Sequence, residues 1–289
     1  MRSLSRCAMA LIALPVPLAV TPAGSSPVEA RETEELPRYL KDRGTGVPVS
    51  MFGTYVRKGE LLVYPFTEWY SDGNFEYKPS EIGYEGGEDY RGRYTASEQL
   101  LFLGYGVGEN LAVELEAAVI STELTKSSDP SAMPNEVEQY GLGDVEAQLR
   151  WRLQRENPGR PELFSYFETV FPTNKNPGLV GTPDWEYKLG FGAVRGYGFG
   201  TMTVRAAVEY TRAERKFEWG EYAIEYLRRL SPAWRVVGVV EGNQLDEVEL
   251  ITEVQWHFAP SIFLKANTGL GLTPNATDYA PELGVMFSF

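Results

Sequence analysis

From residue 60 onward, apolar and polar side chains alternate one by one. Leu111, Val113, Leu115, Ala117 and Val119 are interleaved with Ala112, Glu114, Glu116 and Ala118. Val145, Ala147, Leu149, Trp151 and Leu153 alternate with Glu146, Gln148, Arg150 and Arg152. The same period of two runs through 202–210, 248–258 and 262–270. Successive side chains of a strand point to opposite faces, so each segment has one greasy face and one wet face. The pattern predicts about twelve strands of roughly ten residues, the length a tilted membrane strand needs. They begin near Glu60, Tyr94, Leu111, Val145, Pro161, Trp185, Thr201, Trp219, Trp234, Glu247, Ser261 and Asp278; the first two and the eighth alternate least regularly. Only 32–42 carries a helical stripe (Leu36, Tyr39, Leu40), and Pro37 limits it to a short turn.

The connections alternate too. Gly106 to Asn110, Asn157-Pro158-Gly159, Tyr197-Gly198-Phe199, Ser231-Pro232-Ala233 and Ala259-Pro260-Ser261 are tight turns with Gly or Pro supplying the geometry. Between them lie the mostly longer connections 72–89, 125–142 and 173–184, then shorter ones near 214–216, 243–246 and 273–277. Every second connection is tight, so all tight turns gather at one end of the sheet. The expected fold is all-β: a transmembrane antiparallel up-and-down β-barrel of about 12 strands. An unpaired backbone group costs several kcal/mol in hydrocarbon, so a spanning sheet must close on itself. A lipocalin-like barrel needs only about eight strands, and a sandwich hides its apolar faces between two sheets. Neither explains the turn alternation, nor Trp69, Trp185, Trp219, Trp234 and Trp256 near predicted strand ends, where interfacial girdles sit.

Composition narrows the function. The 289 residues include one Cys and one His, with 27 basic against 40 acidic side chains and a net charge of -13. That balance argues against nucleic acid as a partner. One Cys excludes an intramolecular disulfide or multi-Cys zinc site, and no cofactor motif is present. Arg2 and Arg6 precede an apolar stretch over 8–20, and Val28-Glu29-Ala30 fits a small-x-Ala cleavage site, with Thr21-Pro22-Ala23 as a second option. This is the layout of a secretory signal peptide. The expected division is a cleaved signal peptide over 1–30, a periplasmic N-terminal segment over 31–57 and the barrel over 58–289. Residues 31–50 either hang in the periplasm or sit in the lumen.

The chain closes with Tyr279, Leu283, Val285, Phe287 and Phe289 on one face. This resembles the C-terminal strand of Gram-negative outer-membrane proteins, and the resemblance implies the barrel assembly machinery as a partner. Lys58-Gly59-Glu60-Leu61, Gly141-Leu142-Gly143-Asp144-Val145-Glu146 with Leu149-Arg150-Trp151-Arg152, and Phe171-Pro172-Thr173 carry a narrower likeness. Loosely along 58–289, the chain resembles the outer-membrane protein family of a "MetA pathway of phenol degradation". That resemblance implies an outer-membrane barrel and offers no catalytic residue.

Strand phase places charges on the inner face. The acidic set is Glu114, Glu116, Glu146, Glu168, Glu209, Glu225, Glu241, Glu249, Glu253 and Glu282; Arg150, Arg152, Lys188, Arg205, Arg229, Arg235 and Lys265 face it. Such residues either select permeants or form a lattice that stiffens and fills the barrel. His257 is the single candidate base for a lipid hydrolase, but its phase turns it inward, away from lipid. Asp129, Glu136, Glu138, Glu85, Glu88 and Asp89 form no calcium loop and read as solvated loop charges, so no metal is expected. No phosphate loop follows from Gly181, Gly190, Gly192 and Gly198; Gly190 and Gly192 read as relief of crowding inside the wall. The expected function is a channel in outer-membrane lipid and lipopolysaccharide, passing a small-molecule permeant of apolar or aromatic character by diffusion. The alternatives are a plugged structural or surface-interaction barrel and a lipid-active enzyme.

Overall fold

The structure, a computed structural model, describes residues 36–174, 178–212 and 215–289. The expected signal peptide lies outside the described residues. Two short strands, β1 (Val47–Pro48) and β2 (Tyr55–Val56), pair with each other. Twelve longer ones follow: β3 (Leu61–Tyr77), β4 (Tyr90–Gly108), β5 (Leu111–Lys126), β6 (Glu136–Gln154), β7 (Glu162–Phe171) and β8 (Glu186–Gly196), then β9 (Thr201–Thr211), β10 (Lys216–Arg229), β11 (Trp234–Gly242), β12 (Val248–Ala259), β13 (Ile262–Gly271) and β14 (Tyr279–Ser288). Each is antiparallel to the next, and β14 pairs with β3 to close the barrel. Reciprocal backbone bonds between Leu61 and Phe289, 3.0 and 2.9 Å, fasten that seam at the tight-turn end. Closure leaves no edge, as hydrocarbon requires.

The alternation is realised as expected on the outside. Leu101, Leu115, Leu149, Phe191, Ile224 and Leu283 are exposed on the outer wall. Aromatic side chains band both ends of this apolar belt. Trp234 stacks on Trp256 and Tyr197 on Phe199 at the tight-turn end. Trp185, Tyr187, Tyr210 and Phe217 form a continuous series of ring contacts at the other. Such girdles anchor membrane barrels at both interfaces.

The strands are unequal. β3 to β6 run for 16 to 19 residues, whereas β7 to β14 run for 9 to 14. The long connections expected over 72–89 and 125–142 therefore shrink to 78–89 and 127–135. Trp69 falls within β3 rather than at its end. The extra pairing is hidden from a period-two reading because register shifts at Asp72/Phe75 and Ala117/Val119 break the phase. Above the belt these extensions hold a small core of Tyr77, Ile82, Leu124, Met133 and Val137. Asp129, expected as a solvated charge, is buried beside that core. It accepts hydrogen bonds from the Tyr77 hydroxyl at 3.1 Å and from Ser131 at 2.6 and 2.8 Å. Burial works against its ionisation, but these donors outweigh burial and hold the carboxyl below its usual range.

The inside departs from the simple pattern. Residues 36–57 do not hang beyond the rim; they are tucked into the tight-turn half of the barrel. Val47, Val49 and Val56 are buried against Leu62, Tyr64, Phe66, Phe102 and Met286 of the wall. Phe52 and Tyr55 pack on Leu227, Val237, Val239 and Ile251. The inner face thus carries apolar patches where these plug residues touch it.

Gly190 and Gly192 make room inside the wall. They lie opposite Tyr166 and Phe164 of β7, whose rings lie across them. A Cβ at Gly190 would stand 2.0 Å from Tyr166 Cζ. Gly190→Ala is expected to destabilise the barrel by about 1–3 kcal/mol, read as the urea midpoint of reversible unfolding in lipid vesicles. In a Tyr166→Ala background the same glycine change should cost less. Equal midpoints for wild type and Gly190→Ala would show that the ring does not depend on the missing side chain.

Candidate functional site

The lumen is divided by the plug, and its charges divide with it. At the tight-turn end Arg43 is fully buried and lies 3.0 Å from both Glu156 and Glu162. Glu162 is also 3.1 Å from Arg152 Nε. Arg152 donates to the Thr45 carbonyl at 2.9 Å and to the Gly46 carbonyl. Asp42 accepts from the Arg229 backbone N–H at 2.8 Å. Burial tends to lower the Arg43 pKa, and the Glu162 and Glu156 carboxylates work against it. Burial also pushes the Tyr55 hydroxyl above its ordinary range, which keeps the ring neutral beneath the guanidinium.

The plug's tip is held by the next tier. Ser50 donates its backbone N–H to Glu114 at 2.8 Å, and its hydroxyl reaches the same carboxylate. Glu114 is paired with Arg150 at 3.0 Å, and Arg150 lies over the Phe164 and Tyr166 rings. The Phe52 carbonyl accepts from Lys265 at 3.3 Å and from Gln255 at 3.4 Å. Lys265 is 1 % exposed and pairs with Glu253 at 3.2 Å. The Gly53 N–H is directed at Glu225. Gly53 has φ +61, and a Cβ there would stand 2.6 Å from Val237, so the tip's turn and its close approach both require glycine.

Above the tip the picture changes. A cavity of about 450 Å³ is floored by Ser50, Met51 and Phe52. Its wall carries eight carboxylates (Glu68, Glu98, Glu116, Asp144, Glu146, Glu241, Glu249 and Glu282) against one ammonium, Lys265. It shares Glu241, Glu249 and Thr277 with a second cavity of about 460 Å³ at the loop end, so the chamber continues to the mouth. Below the plug, a third cavity of about 570 Å³ shares no lining residue with the chamber.

Most of the residues assigned by strand phase to the inner face lie in or beside these tiers. Glu114, Arg150, Arg152, Glu225, Glu253 and Lys265 contact the plug or its contacts. Glu116 and Glu146 line the chamber. Lys188 bridges Glu168 at 2.9 Å and Glu221 at 3.6 Å, and Arg205 pairs with Glu241 at 2.8 Å while lying over the Phe52 ring. Glu209 is the cross-strand partner of Lys188, and Arg229 that of Arg235. The sequence reading missed Glu68, Glu98, Asp144 and Glu221. Glu68 and Glu98 sit on strands that are apolar on both faces over 61–66 and 100–103, so their phase was unreadable. Asp144 and Glu221 sit at register shifts. Glu221 could have been found by stepping back in twos from Glu225.

His257 stacks on Phe263, and its Nε2 lies 3.4 Å from Gln255 Oε1; no serine bonds to it among the described residues. Glu123, Glu136 and Glu138 bring carboxylate oxygens within 4.8 Å of one another on the outer wall, the one grouping among the described residues that could hold a metal ion. Glu136 and Glu138 belong to β6 rather than to a loop.

The chain is similar in fold to several solved barrels. The COG4313 outer membrane channel from Pseudomonas putida F1 matches at 14 % identity and TM-score 0.58, covering 84 % of this chain and 100 % of that one. The KdgM porin matches at 7 % identity and TM-score 0.51, covering 78 % and 99 %. The translocator domain of the autotransporter NalP from Neisseria meningitidis matches at 12 % identity and TM-score 0.50, covering 80 % and 89 %. At these identities the likeness is one of fold. No family model and no curated protein matches the chain, so its resemblance to the phenol-degradation family is not shown.

Arg43 is the deepest ionic anchor of the plug. Arg43→Met keeps its bulk but leaves Glu156 with Arg195 at 3.6 Å and Glu162 with Arg152 as their remaining cations. Loosening by about 2–3 kcal/mol is expected, because a broken buried pair leaves charge uncompensated. Trypsin should then cut at Lys41 and Arg57 roughly tenfold faster or more, while the folded barrel keeps its heat-modifiable migration. Unchanged protection would mean that the apolar contacts alone hold the segment.

Proposed function

We propose that this protein is an outer-membrane channel for small polar solutes, with residues 36–57 as its internal gate. The observation that carries the reading is the half-filled lumen. A barrel with a purely structural interior would be packed throughout. Here the loop-end half is a continuous chamber, and its floor is a chain segment rather than a wall. The likeness to the COG4313 channel and the KdgM porin supports the same reading. Export with removal of residues 1–30, apolar outer contacts with lipid and lipopolysaccharide, and recognition of the strand ending at Phe289 by the assembly machinery belong to this proposal.

Chamber chemistry bears on the permeant. Low-dielectric walls around like charges concentrate the opposite charge. Eight carboxylates against one ammonium favour cations and polar neutral solutes over anions. The apolar or aromatic permeant expected from the sequence gains no support from such a wall.

In planar bilayers the intact chain is expected to open rarely. Deleting residues 36–57 should raise the open fraction about tenfold or more, and Arg43→Met should raise it by less. A deletion variant that folds yet stays silent to ions and small solutes would defeat the channel reading and leave a plugged structural barrel.

The open form should prefer potassium to chloride in a salt gradient. Glu116→Gln combined with Glu146→Gln should move the reversal potential toward zero, because both carboxylates face the chamber without an ion-pair partner among the described residues. A reversal potential untouched by both changes would show that selectivity resides elsewhere.

A further inference from the structure

The cavity beneath the plug has the opposite character to the chamber above it. It is lined by Arg43, Arg57, Arg235 and His257, with Glu60 as its carboxylate. Arg57 and the Ser288 hydroxyl already engage Glu60. Arg235 is the cavity's one wall arginine, and its direct cross-strand partner on β10 is Arg229, outside the lining. Like charges in that position repel. Neither guanidinium has a carboxylate within 4.0 Å among the described residues; Arg229 Nε reaches the Ser231 carbonyl at 3.4 Å. Asp42, the nearby acid on the plug, is turned to the Arg229 backbone N–H and stands 3.7 Å from Arg228. Arg43, whose side chain is fully buried, keeps its Nε and Nη1 without an acceptor.

Buried donors without acceptors and half-enclosed cations without counter-ions are both costly. A small anion with several acceptor oxygens relieves the second cost. Guanidinium groups match such oxyanions through paired N–H donors. We propose that this cavity is an oxyanion site. In it a phosphate- or carboxylate-bearing solute pairs with Arg235 of the wall, in the positive field of Arg57 and the buried Arg43 of the plug. Ser261 lines the same space as a hydroxyl donor. At about 570 Å³ the cavity admits a small solute, and its place on the inner face selects a dissolved anion over a lipid headgroup. The site stands whether or not the barrel conducts, because its occupancy is measured in the detergent-folded protein.

The probe is inorganic phosphate, titrated calorimetrically into the folded full chain against chloride at equal ionic strength. Saturable binding of one phosphate per chain is expected. Arg235→Gln should weaken it roughly tenfold, while Arg235→Lys, which keeps the charge, should lose less. In the wild-type protein, phosphate should also shield Arg235 from phenylglyoxal and leave the exposed Arg155 reactive, as mapped by mass spectrometry. That labelling needs no variant to fold. Absence of saturable heat, equal affinity in Arg235→Gln, or equal labelling of Arg235 with and without phosphate would each overturn the site.

Discussion

A polypeptide that crosses hydrocarbon must pair every backbone N–H and C=O, and a sheet does so only by closing. The remaining features of this molecule follow from how that closure is completed. Twelve strands enclose more space than the inward side chains of the tight-turn half fill. That space is taken by the chain's own residues 36–57. The plug then faces the same constraint as the wall, because its backbone also needs partners. β1 and β2 satisfy little of it, with two residues each. Wall side chains supply much of the rest. Arg152 takes the Thr45 and Gly46 carbonyls, Lys265 and Gln255 take the Phe52 carbonyl, and Glu114 takes the Ser50 N–H. Much of the inward charge in this half is a receptor for irregular backbone.

This division explains why the inner charges behave differently by height. Near the plug each cation has a carboxylate and often a plug carbonyl as well, as Lys265 does with Glu253 and Phe52. Lost solvation is offset by geometry there, which is the condition for a buried pair to be tolerated. Above Met51 the carboxylates outnumber cations and stand around open space, and among the described residues only Glu241 of them has a cation within 4.0 Å. Below the plug, arginines predominate. The lumen is therefore polarised along its axis, acid toward the loops and basic toward the tight turns, with the plug tip as the divide.

Much of the wall was legible from residue order. Period two is a local property, and β5, β6, β9, β12 and β13 display it because each has lipid on one side and water or charge on the other. The turn alternation gave the hand-to-hand antiparallel order. What stayed hidden depended on contacts far apart in sequence. The extension of β6 back to Glu136 is set by pairing with β5 across a register shift, which no local pattern records. Residue order does not decide between a lumenal and a periplasmic place for 36–57, because the segment is short of periodicity and its anchors sit far along the chain. Glu156 is 113 residues beyond Arg43.

The irregular segments were nonetheless informative. β3 reads Leu61-Leu62-Val63-Tyr64-Pro65-Phe66, apolar on both faces, and β11 carries Val236, Val237, Val239 and Val240. A strand between lipid and a watery lumen has no use for a second apolar face. A strand between lipid and a packed segment does. Tyr64, Phe66, Val237 and Val239 are the wall residues that meet Val47, Val49, Phe52 and Tyr55. In a closed barrel, loss of alternation at one height on several strands therefore marks where the interior is filled by protein. Its return to charge, at Glu68 on β3 and Glu241 on β11, marks where the filling stops. No cysteine lies between residues 36 and 289 to tie the filling segment covalently to the wall. Its hold rests on ion pairs, hydrogen bonds and a modest apolar contact, interactions that can be exchanged for water or a solute without breaking the closed sheet around them.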